Sequence, residues 1–167
     1  MQRPFLVDPS LYDLNKPVAD STEIRRFNQQ RFEMEQLTAI VYDDWESKSC
    51  AGYLDLTDQE FWIRGHMPGV PLMPGVIMCE AAAQLASYYV GKHDLMSDCI
   101  MGFAGLEDVR FRGIVTPNNR LVIQAKMLKY RKKLISAHFQ CVLDDKIVCE
   151  GIVKGVPLGV NDLNAVQ

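Results

Sequence analysis

The most apolar stretch of the chain lies near its middle and predicts a buried helix. Between residues 74 and 91 almost every position is apolar, and Glu80 is the only charged residue. Pro74 near the first helical position and Gly91 just past the last apolar residue are the usual signals for a helix start and end. A helix that is apolar on nearly every side packs inside a protein. The pattern therefore predicts one buried helix between Pro74 and Gly91.

Six shorter segments around this helix alternate between apolar and polar residues or run apolar, and they predict β-strands. Two precede the helix and four follow it, and Lys132-Lys133 and Asp144-Asp145 stand where tight turns would join neighbouring strands. Long neighbouring strands with short connections form an antiparallel sheet. The sequence therefore predicts an α+β fold in which an antiparallel sheet wraps around one long helix. The predicted strands cover residues 37–43, 49–56, 103–113, 119–131, 134–144 and 146–156.

The first 36 residues do not follow this pattern. Three prolines break residues 1–20, which predicts an arm or a loop, whereas residues 21–36 are polar and contain neither proline nor glycine. The latter segment predicts a short helix, for which the candidate caps are Asp20, Ser21 and Thr22. The chain is therefore divided into an N-terminal extension (1–36), a main domain (37–157) and a C-terminal tail (158–167).

Composition and charge argue against several classes of protein. The chain has 167 residues, of which 48% are hydrophobic and 23% charged, and these values are ordinary for one globular domain. A net charge of −3 argues against a nucleic-acid-binding protein, which normally carries a basic surplus. The longest apolar-rich stretch, 76–90, is too short to span a bilayer, and the first residues lack signal-peptide features. We expect a cytoplasmic protein without a membrane span.

The five cysteines favour reduced thiols over a disulfide framework. Their number is odd and no two of them form a C-x-x-C pair. His93 and His138 do not stand at metal-ligand spacing from any of them. We therefore expect no zinc or other metal site and no disulfide.

Residues 61–80, FWIRGHMPGVPLMPGVIMCE, bring together the groups that a proton-transfer reaction needs. His66 lies in a loop rich in proline and glycine, and histidine titrates near neutral pH and is the usual general base. Glu80 lies in the apolar helix, where desolvation favours the protonated acid that could deliver a proton. The N–H groups of Gly75 and Val76 at the helix start would stabilise a negative oxygen. Together these groups could remove a proton beside a carbonyl and expel a β-hydroxyl as water.

Each of these features also has an ordinary interpretation. A histidine in a loop is most often a plain polar residue. A glutamate in an apolar helix is most often paired with an arginine or placed at an interface. The proline and glycine cluster could be only a tight turn. Spacing alone therefore permits a dehydration but does not select it.

The sequence GHMPGVPLMPGVIMCEAAAQLA resembles the signature of β-hydroxyacyl-acyl-carrier-protein dehydratases of the FabZ type. In that signature the histidine is followed by a proline-rich segment, by a glutamate fourteen residues later, and by A-x-A-Q. The downstream segment FAGLEDVRFRGIVTPNNRL is similar to a second family segment, and the resemblance covers residues 37–156. The positions in register are His66, Pro68, Pro71, Met73, Pro74, Gly75, Val76, Glu80, Ala81, Ala83 and Gln84.

This resemblance implies the hotdog fold, in which a curved antiparallel sheet wraps a long central helix, and homodimers that often stack as hexamers. The active site would lie at the dimer interface, with His66 from one chain and Glu80 from its neighbour. Gly75 would donate its N–H to the thioester carbonyl, with Pro74 and Gln84 in supporting positions. The substrate would be a (3R)-3-hydroxyacyl thioester on the phosphopantetheine arm of acyl carrier protein. The product would be a trans-2-enoyl thioester, formed without a cofactor.

Glutamate at position 80 resembles the FabZ type, because the related FabA enzymes, which also isomerise the double bond, carry aspartate there.

The acidic carrier protein would need a basic landing surface. The alternative interpretation of the candidate residues is a solvated strand face and turn. The candidates are Arg110, Arg112, Lys129, Arg131, Lys132 and Lys133.

The chain departs from the family pattern most clearly before the main domain. QRFEMEQL (30–37) is much more polar than the family's H-R-x-P-[FM]-L-L-V-D segment, so the lining of the acyl tunnel does not follow from the resemblance. Met67 replaces a phenylalanine, and Pro117-Asn118-Asn119 replaces a P-G-D turn. Two other functions are compatible with the sequence. They are another hotdog thioester enzyme, such as a thioesterase or CoA hydratase, and a non-catalytic acyl-binding module.

Overall fold

The computed structural model of the chain describes residues 3–96, 99–131 and 133–159. Its six strands form one antiparallel sheet, and one face of that sheet packs on a single long helix. This is the predicted α+β architecture, so the wrapped helix is confirmed. The strands are β1 (Ala39–Asp44), β2 (Ser49–Asp55), β3 (Cys99–Phe111), β4 (Arg120–Arg131), β5 (Leu134–Leu143) and β6 (Lys146–Gly159). The helices are α1 (Ser21–Ile24) and α2 (Gly75–Lys92), with 3-10 turns at Pro9–Leu11 and Phe32–Met34.

The strand order across the sheet is β1-β2-β4-β5-β6-β3. The β5–β6 hairpin turns at Asp144 and Asp145, whose φ angles of 48° and 57° are those of a tight two-residue hairpin turn. The predicted turn is therefore confirmed there, whereas Lys132 of the other predicted turn lies outside the described residues. Strand β3 follows α2 in the chain but pairs with β6, so it forms one edge of the sheet, and most of its residues are exposed.

The central helix is buried because its residues are apolar and many are small. Ala81, Ala82 and Leu85 are fully buried, as are the large rings of Tyr88 and Tyr89. Its start was predicted correctly to within one residue, but the prediction that Gly91 ends it was wrong. The helix continues to Lys92 and Gly91 lies inside it, where an added Cβ would come within 3.0 Å of Phe27. Gly91 therefore serves close packing against the N-terminal extension rather than helix termination.

The N-terminal extension contacts both faces of the sheet layer. Its helix α1 has only four residues and is capped by Asp20, whose Oδ1 accepts a hydrogen bond of 2.9 Å from Glu23 N. Before α1, Ala19 pairs with Ile40 at the free edge of β1. Residues further upstream cover a second apolar cluster on the sheet face opposite α2, where Val7 is buried. The other buried members of this cluster are Ala39, Val41, Ala51, Tyr53, Val122 and Val142.

All five cysteines are free thiols, four of them buried and Cys99 exposed. Burial raises the pKa of the Cys50 thiol well above its usual range, which keeps it protonated. Within the described ranges no three His, Cys, Asp or Glu side chains are grouped so that they could hold a metal ion. In the same part of the chain no helix is both long and apolar enough to cross a membrane.

Candidate functional site

The loop before α2 is anchored at both ends and presents His66 at its rim. Trp62 and Met73 are buried, and Met73 N donates a 2.7 Å hydrogen bond to the Val115 carbonyl, which ties the loop to the segment after β3. His66 N donates to the Trp62 carbonyl at 2.8 Å, and Leu72 N donates to the His66 carbonyl at 3.0 Å. The His66 side chain is half-buried between these anchors, and the peptide bond that follows it is cis. These main-chain hydrogen bonds hold the backbone of His66 in one place.

The hydrogen bond of the His66 ring decides which nitrogen carries the proton. Nδ1 lies 2.9 Å from the Leu72 carbonyl oxygen. A carbonyl oxygen only accepts hydrogen bonds, so Nδ1–H donates to it. In the neutral ring Nε2 then has a free lone pair and can accept a proton. This is the tautomer that a general base at Nε2 requires.

The start of α2 leaves its first N–H groups available to a ligand. Pro74 has extended backbone angles, and no side chain among the described residues caps the helix. Gly75 lies directly against the Phe111 ring, and an added Cβ would be 2.6 Å from Phe111 Cε1. Val76 is 69% exposed. The positive end of the helix dipole therefore opens to the surface beside the loop that carries His66.

Glu80 is held by neutral amides. Its Oε1 accepts a 2.8 Å hydrogen bond from Gln84 Nε2 and a 3.4 Å hydrogen bond from Gln30 Nε2. Within the described residues it forms no ion pair, so the ordinary interpretation of an arginine-paired carboxylate does not apply. Glu80 lines a cavity of about 80 Å³ between α2 and the sheet. The other lining residues are Gln30, Ala83, Ser87, Met101, Phe103, Val153 and Lys154.

Within one chain Gln84 donates a hydrogen bond to Glu80, whereas no hydrogen bond joins His66 to Glu80. The cavity beside Glu80 is lined by the N-terminal extension, α2, β3 and β6, and by no residue of 61–74. His66 makes its ring hydrogen bond inside its own loop. Within the described residues the two candidate groups therefore share neither a hydrogen bond nor this cavity.

Large exposed apolar side chains lie around the loop, the helix start and β3. Clusters of this kind usually mark a surface that another molecule covers. Phe111 belongs to this set and contacts Gly75, which places the surface next to the helix start. The set comprises Met67, Val70, Val76, Phe103, Leu106, Phe111 and Ile114, each 40–70% exposed.

The basic residues predicted as a landing surface are not equivalent. Arg112 Nε donates a 2.9 Å hydrogen bond to Glu150 Oε1, and Arg110 lies 3.7 Å from Asp108 Oδ1. Lys129, Arg131 and Lys133 are exposed and pair with no acid in the described ranges. Lys132 lies outside the described residues. Among the predicted candidates, those without an acidic partner in the described ranges therefore lie at the β4–β5 hairpin.

Sequence reasoning missed Gln30, which lies in the polar segment that departs from the family pattern. The only sequence signal was the run of amide side chains at residues 28–30. Gln84 was placed near the site by resemblance alone, and the structure supplies its contacts.

Comparison with known proteins agrees with this architecture. A family model described as a FabA-like domain matches residues 28–152. A 3-hydroxyacyl-[acyl-carrier-protein] dehydratase FabZ of Nitratidesulfovibrio vulgaris (strain DP4) is 34% identical over 113 residues, which cover 66% of this chain and 73% of the relative.

Solved structures share the fold at much lower identity. The dehydratase heterocomplex ApeI:P from Xenorhabdus doucetiae aligns with a TM-score of 0.71 at 16% identity, covering 86% of this chain and 95% of that one. The fluoroacetyl-CoA thioesterase FlK aligns with a TM-score of 0.61 at 8% identity, covering 72% and 92%. At these identities the likeness concerns the hotdog fold alone.

Proposed function

The chain belongs to the family of FabA-like domains, which includes its FabZ relatives, and on this basis we propose the reaction that it catalyses. It is a hydro-lyase that removes water from a (3R)-3-hydroxyacyl thioester on acyl carrier protein and gives the trans-2-enoyl thioester in fatty acid biosynthesis. The observation that carries the proposal is the hydrogen bond from His66 Nδ1 to the Leu72 carbonyl, which leaves Nε2 available as a base. We place this reaction in the cytoplasm, and no resident cofactor takes part in it.

In the proposed mechanism separate groups remove the first proton, stabilise the enolate oxygen and deliver the second proton. His66 Nε2 takes the proton from the carbon next to the thioester carbonyl, and the C–H electrons enter the enolate. The Gly75 N–H at the helix start stabilises the enolate oxygen, with Val76 N–H beside it. Glu80 gives its proton to the β-hydroxyl as the C–O bond breaks, and water leaves. Each of these terms contributes roughly 10²–10³-fold to the rate.

We propose that the working unit is a homodimer in which His66 of one chain faces Glu80 of the other. Two observations support this arrangement: no residue of the His66 loop lines the cavity beside Glu80, and large apolar side chains around β3 are exposed. Strand β3 also offers an unpaired edge to a second copy. Stacking of dimers into a hexamer would follow the family pattern.

The acyl chain would enter the cavity beside Glu80, whose walls include the apolar side chains of Ala83, Met101 and Phe103. Acyl carrier protein would dock on the exposed basic residues of the β4–β5 hairpin, where Lys129, Arg131 and Lys133 are free of acidic partners in the described ranges. Arg112 contributes less to docking, because Glu150 already holds its guanidinium.

One assay tests the reaction. The purified protein is incubated with 3-hydroxyacyl-carrier thioesters of several chain lengths, and the enoyl product is measured. We expect turnover by the unaltered protein and a loss of at least a hundredfold in kcat for His66→Ala and for Glu80→Gln. Full turnover by both variants would contradict the assigned roles. Absence of turnover by every form at all chain lengths would favour an acyl-binding module, and thioester hydrolysis would favour a thioesterase.

A further inference from the structure

Residues 28–36 of the N-terminal extension, here called the brace, bind α2 at the level of the proposed acid. Asn28 Nδ2 donates a 2.9 Å hydrogen bond to the Gln84 main-chain carbonyl. Gln36 N donates to Gln84 Oε1 at 2.8 Å, and Gln84 Nε2 donates to the Met34 carbonyl at 2.6 Å. Both ends of the Gln84 amide are thus held by main-chain groups of the brace.

These main-chain contacts fix the orientation of the Gln84 amide. A main-chain N–H only donates and a main-chain carbonyl only accepts, so the oxygen must face Gln36 and the nitrogen must face Met34. Gln84 Nε2 has two hydrogens, and the second one points to Glu80 Oε1 at 2.8 Å. The brace therefore determines that Glu80 receives a donor from Gln84 rather than an acceptor.

Gln30 adds a second donor to the same oxygen. Its Nε2 lies 3.4 Å from Glu80 Oε1, and both side chains line the cavity beside α2. With two amide N–H groups directed at Oε1, a proton on Glu80 resides on Oε2. Oε2 makes no hydrogen bond with the described part of the chain and stays free for the substrate.

We propose that Gln30 of the brace is a positioning residue of the active site. Together with Gln84 it holds Oε1 of Glu80 and leaves the proton-bearing Oε2 to serve the leaving hydroxyl. This inference rests on the proposed function, in which Glu80 is the acid. The other charged group that lines the cavity is Lys154 on β6, and its ammonium is paired with Glu107. The amides therefore face Glu80 without a competing free charge.

The test compares three variants with the unaltered protein. Gln30→Leu removes the donor with little change in size, and Gln30→Glu replaces it with a carboxylate. Gln29→Leu is the matched control, because Gln29 is the exposed neighbour. The measurements are kcat and KM against pH, thermal unfolding, and the titration of Glu80 by ¹³C NMR with labelled glutamate carboxyl carbons.

We expect Gln30→Leu to lower kcat roughly tenfold with KM changed less than about twofold, because a displaced acid weakens only the chemical step. Loss of a donor to the anion, or a like charge beside it, makes the carboxylate less stable. The high-pH limb of activity and the NMR midpoint of Glu80 should therefore move to higher pH, further in Gln30→Glu than in Gln30→Leu. Gln29→Leu should behave as the unaltered protein.

The result that overturns the inference is an NMR midpoint, a pH profile and a kcat that stay unchanged in both Gln30 variants. The inference is also overturned if thermal stability falls while the high-pH limb of the activity profile and the NMR midpoint of Glu80 stay in place. A purely structural role of the brace would give this result. If the unaltered protein has no dehydratase activity but the midpoint still moves, the proposed function fails while the contact of Gln30 with Glu80 stands.

Discussion

Gly75 begins the central helix directly under the Phe111 ring, and this contact fixes the N–H groups that the proposed reaction uses. An added Cβ would be 2.6–2.9 Å from three ring atoms, which is closer than carbon atoms approach without displacement. The helix start and the Phe111 ring are therefore packed closely against each other. A methyl group at this position would collide with the ring unless the ring or the helix start moved.

The first prediction concerns this methyl group. Gly75→Ala should lower the free energy of unfolding by about 1–3 kcal/mol, because the ring or the helix start must move. It should also lower kcat, since the Gly75 N–H is displaced. Urea unfolding and the dehydratase assay measure the two effects.

The matched control is Gly65→Ala in the same loop, since no heavy atom lies within 4 Å of a Cβ added there. Its stability should stay within about 0.5 kcal/mol of the unaltered protein. In a double-mutant cycle, Phe111→Ala should recover most of the stability that Gly75→Ala loses. Equal losses with and without the ring would show that the contact is not the cause.

A row of polar side chains on the outer face of the sheet binds the N-terminal arm to three strands. Gln124 of β4 pairs in register with Gln140 of β5, and Gln140 pairs with Glu150 of β6. The N-terminal arm binds all three. Gln124 bonds to both main-chain groups of Val7, and Gln140 bonds to the arm one residue further upstream. The glutamine side chains of the sheet thus align the arm by hydrogen bonds to its main-chain groups.

The second prediction follows from this alignment. In Gln124→Leu the amide hydrogen of Val7 should exchange with solvent at least tenfold faster, because its acceptor at 3.1 Å is gone. In Gln140→Leu the faster exchange should appear instead at Leu6, whose N–H bonds to Gln140 Oε1 at 2.9 Å. Hydrogen exchange read by NMR measures both amides. Exchange that rises equally at both positions in either variant would show general loosening of the arm.

The third prediction concerns pH and Glu150. Burial alone would raise the pKa of Glu150, but hydrogen bonds from Arg112 and Arg3 outweigh it, and the pKa lies below its usual value of 4.5. A lowered pKa in the folded state means that the carboxylate stabilises the protein above about pH 4.5. This stabilisation is lost as the pH falls through the folded-state pKa.

Urea unfolding between pH 7 and pH 3 tests the direction of the pKa shift of Glu150. Glu150→Gln should be less stable than the unaltered protein at pH 7 by roughly 1–3 kcal/mol. The difference should shrink as the pH falls below 4.5, because the unaltered protein then loses its charge as well. A difference that grows on acidification would mean that the pKa of Glu150 is raised.

At the scale of the whole molecule the proposed site is assembled from two chains. A chain that lacks His66 and a chain that lacks Glu80 would each be inactive alone. In a mixed dimer one site combines both defects, and the other combines the intact His66 of one chain with the intact Glu80 of its partner. Complementation therefore separates a shared site from a site within one chain.

The fourth prediction is the outcome of that mixing. Equal amounts of His66→Ala and Glu80→Gln, unfolded together and refolded, should give about a quarter of the unaltered activity, because half of the dimers hold one intact site. Each variant refolded alone is the control. No recovery in a preparation shown to contain mixed dimers by mass spectrometry would place both groups in one chain.

The sequence by itself determined the elements and the chemical groups of the site. The apolar run of α2, the alternation of the strands and the turn at Asp144 are local patterns, and local patterns specify helices, strands and turns directly. The contiguous motif contains His66, Gly75 and Glu80 within one stretch of fifteen residues. Their proposed roles follow from residue types and from the family resemblance.

Only the tertiary structure decided which distant groups meet. The central helix continues past Gly91, where Phe27 packs against it. Arg112 is hydrogen-bonded to Glu150, which lies on the neighbouring strand β6. The contact of Gln30 with Glu80 is of the same kind. Such contacts depend on how the extension crosses the sheet and the helix. The path of the extension depends on packing contacts throughout the chain, so it cannot be predicted from any short segment of the sequence.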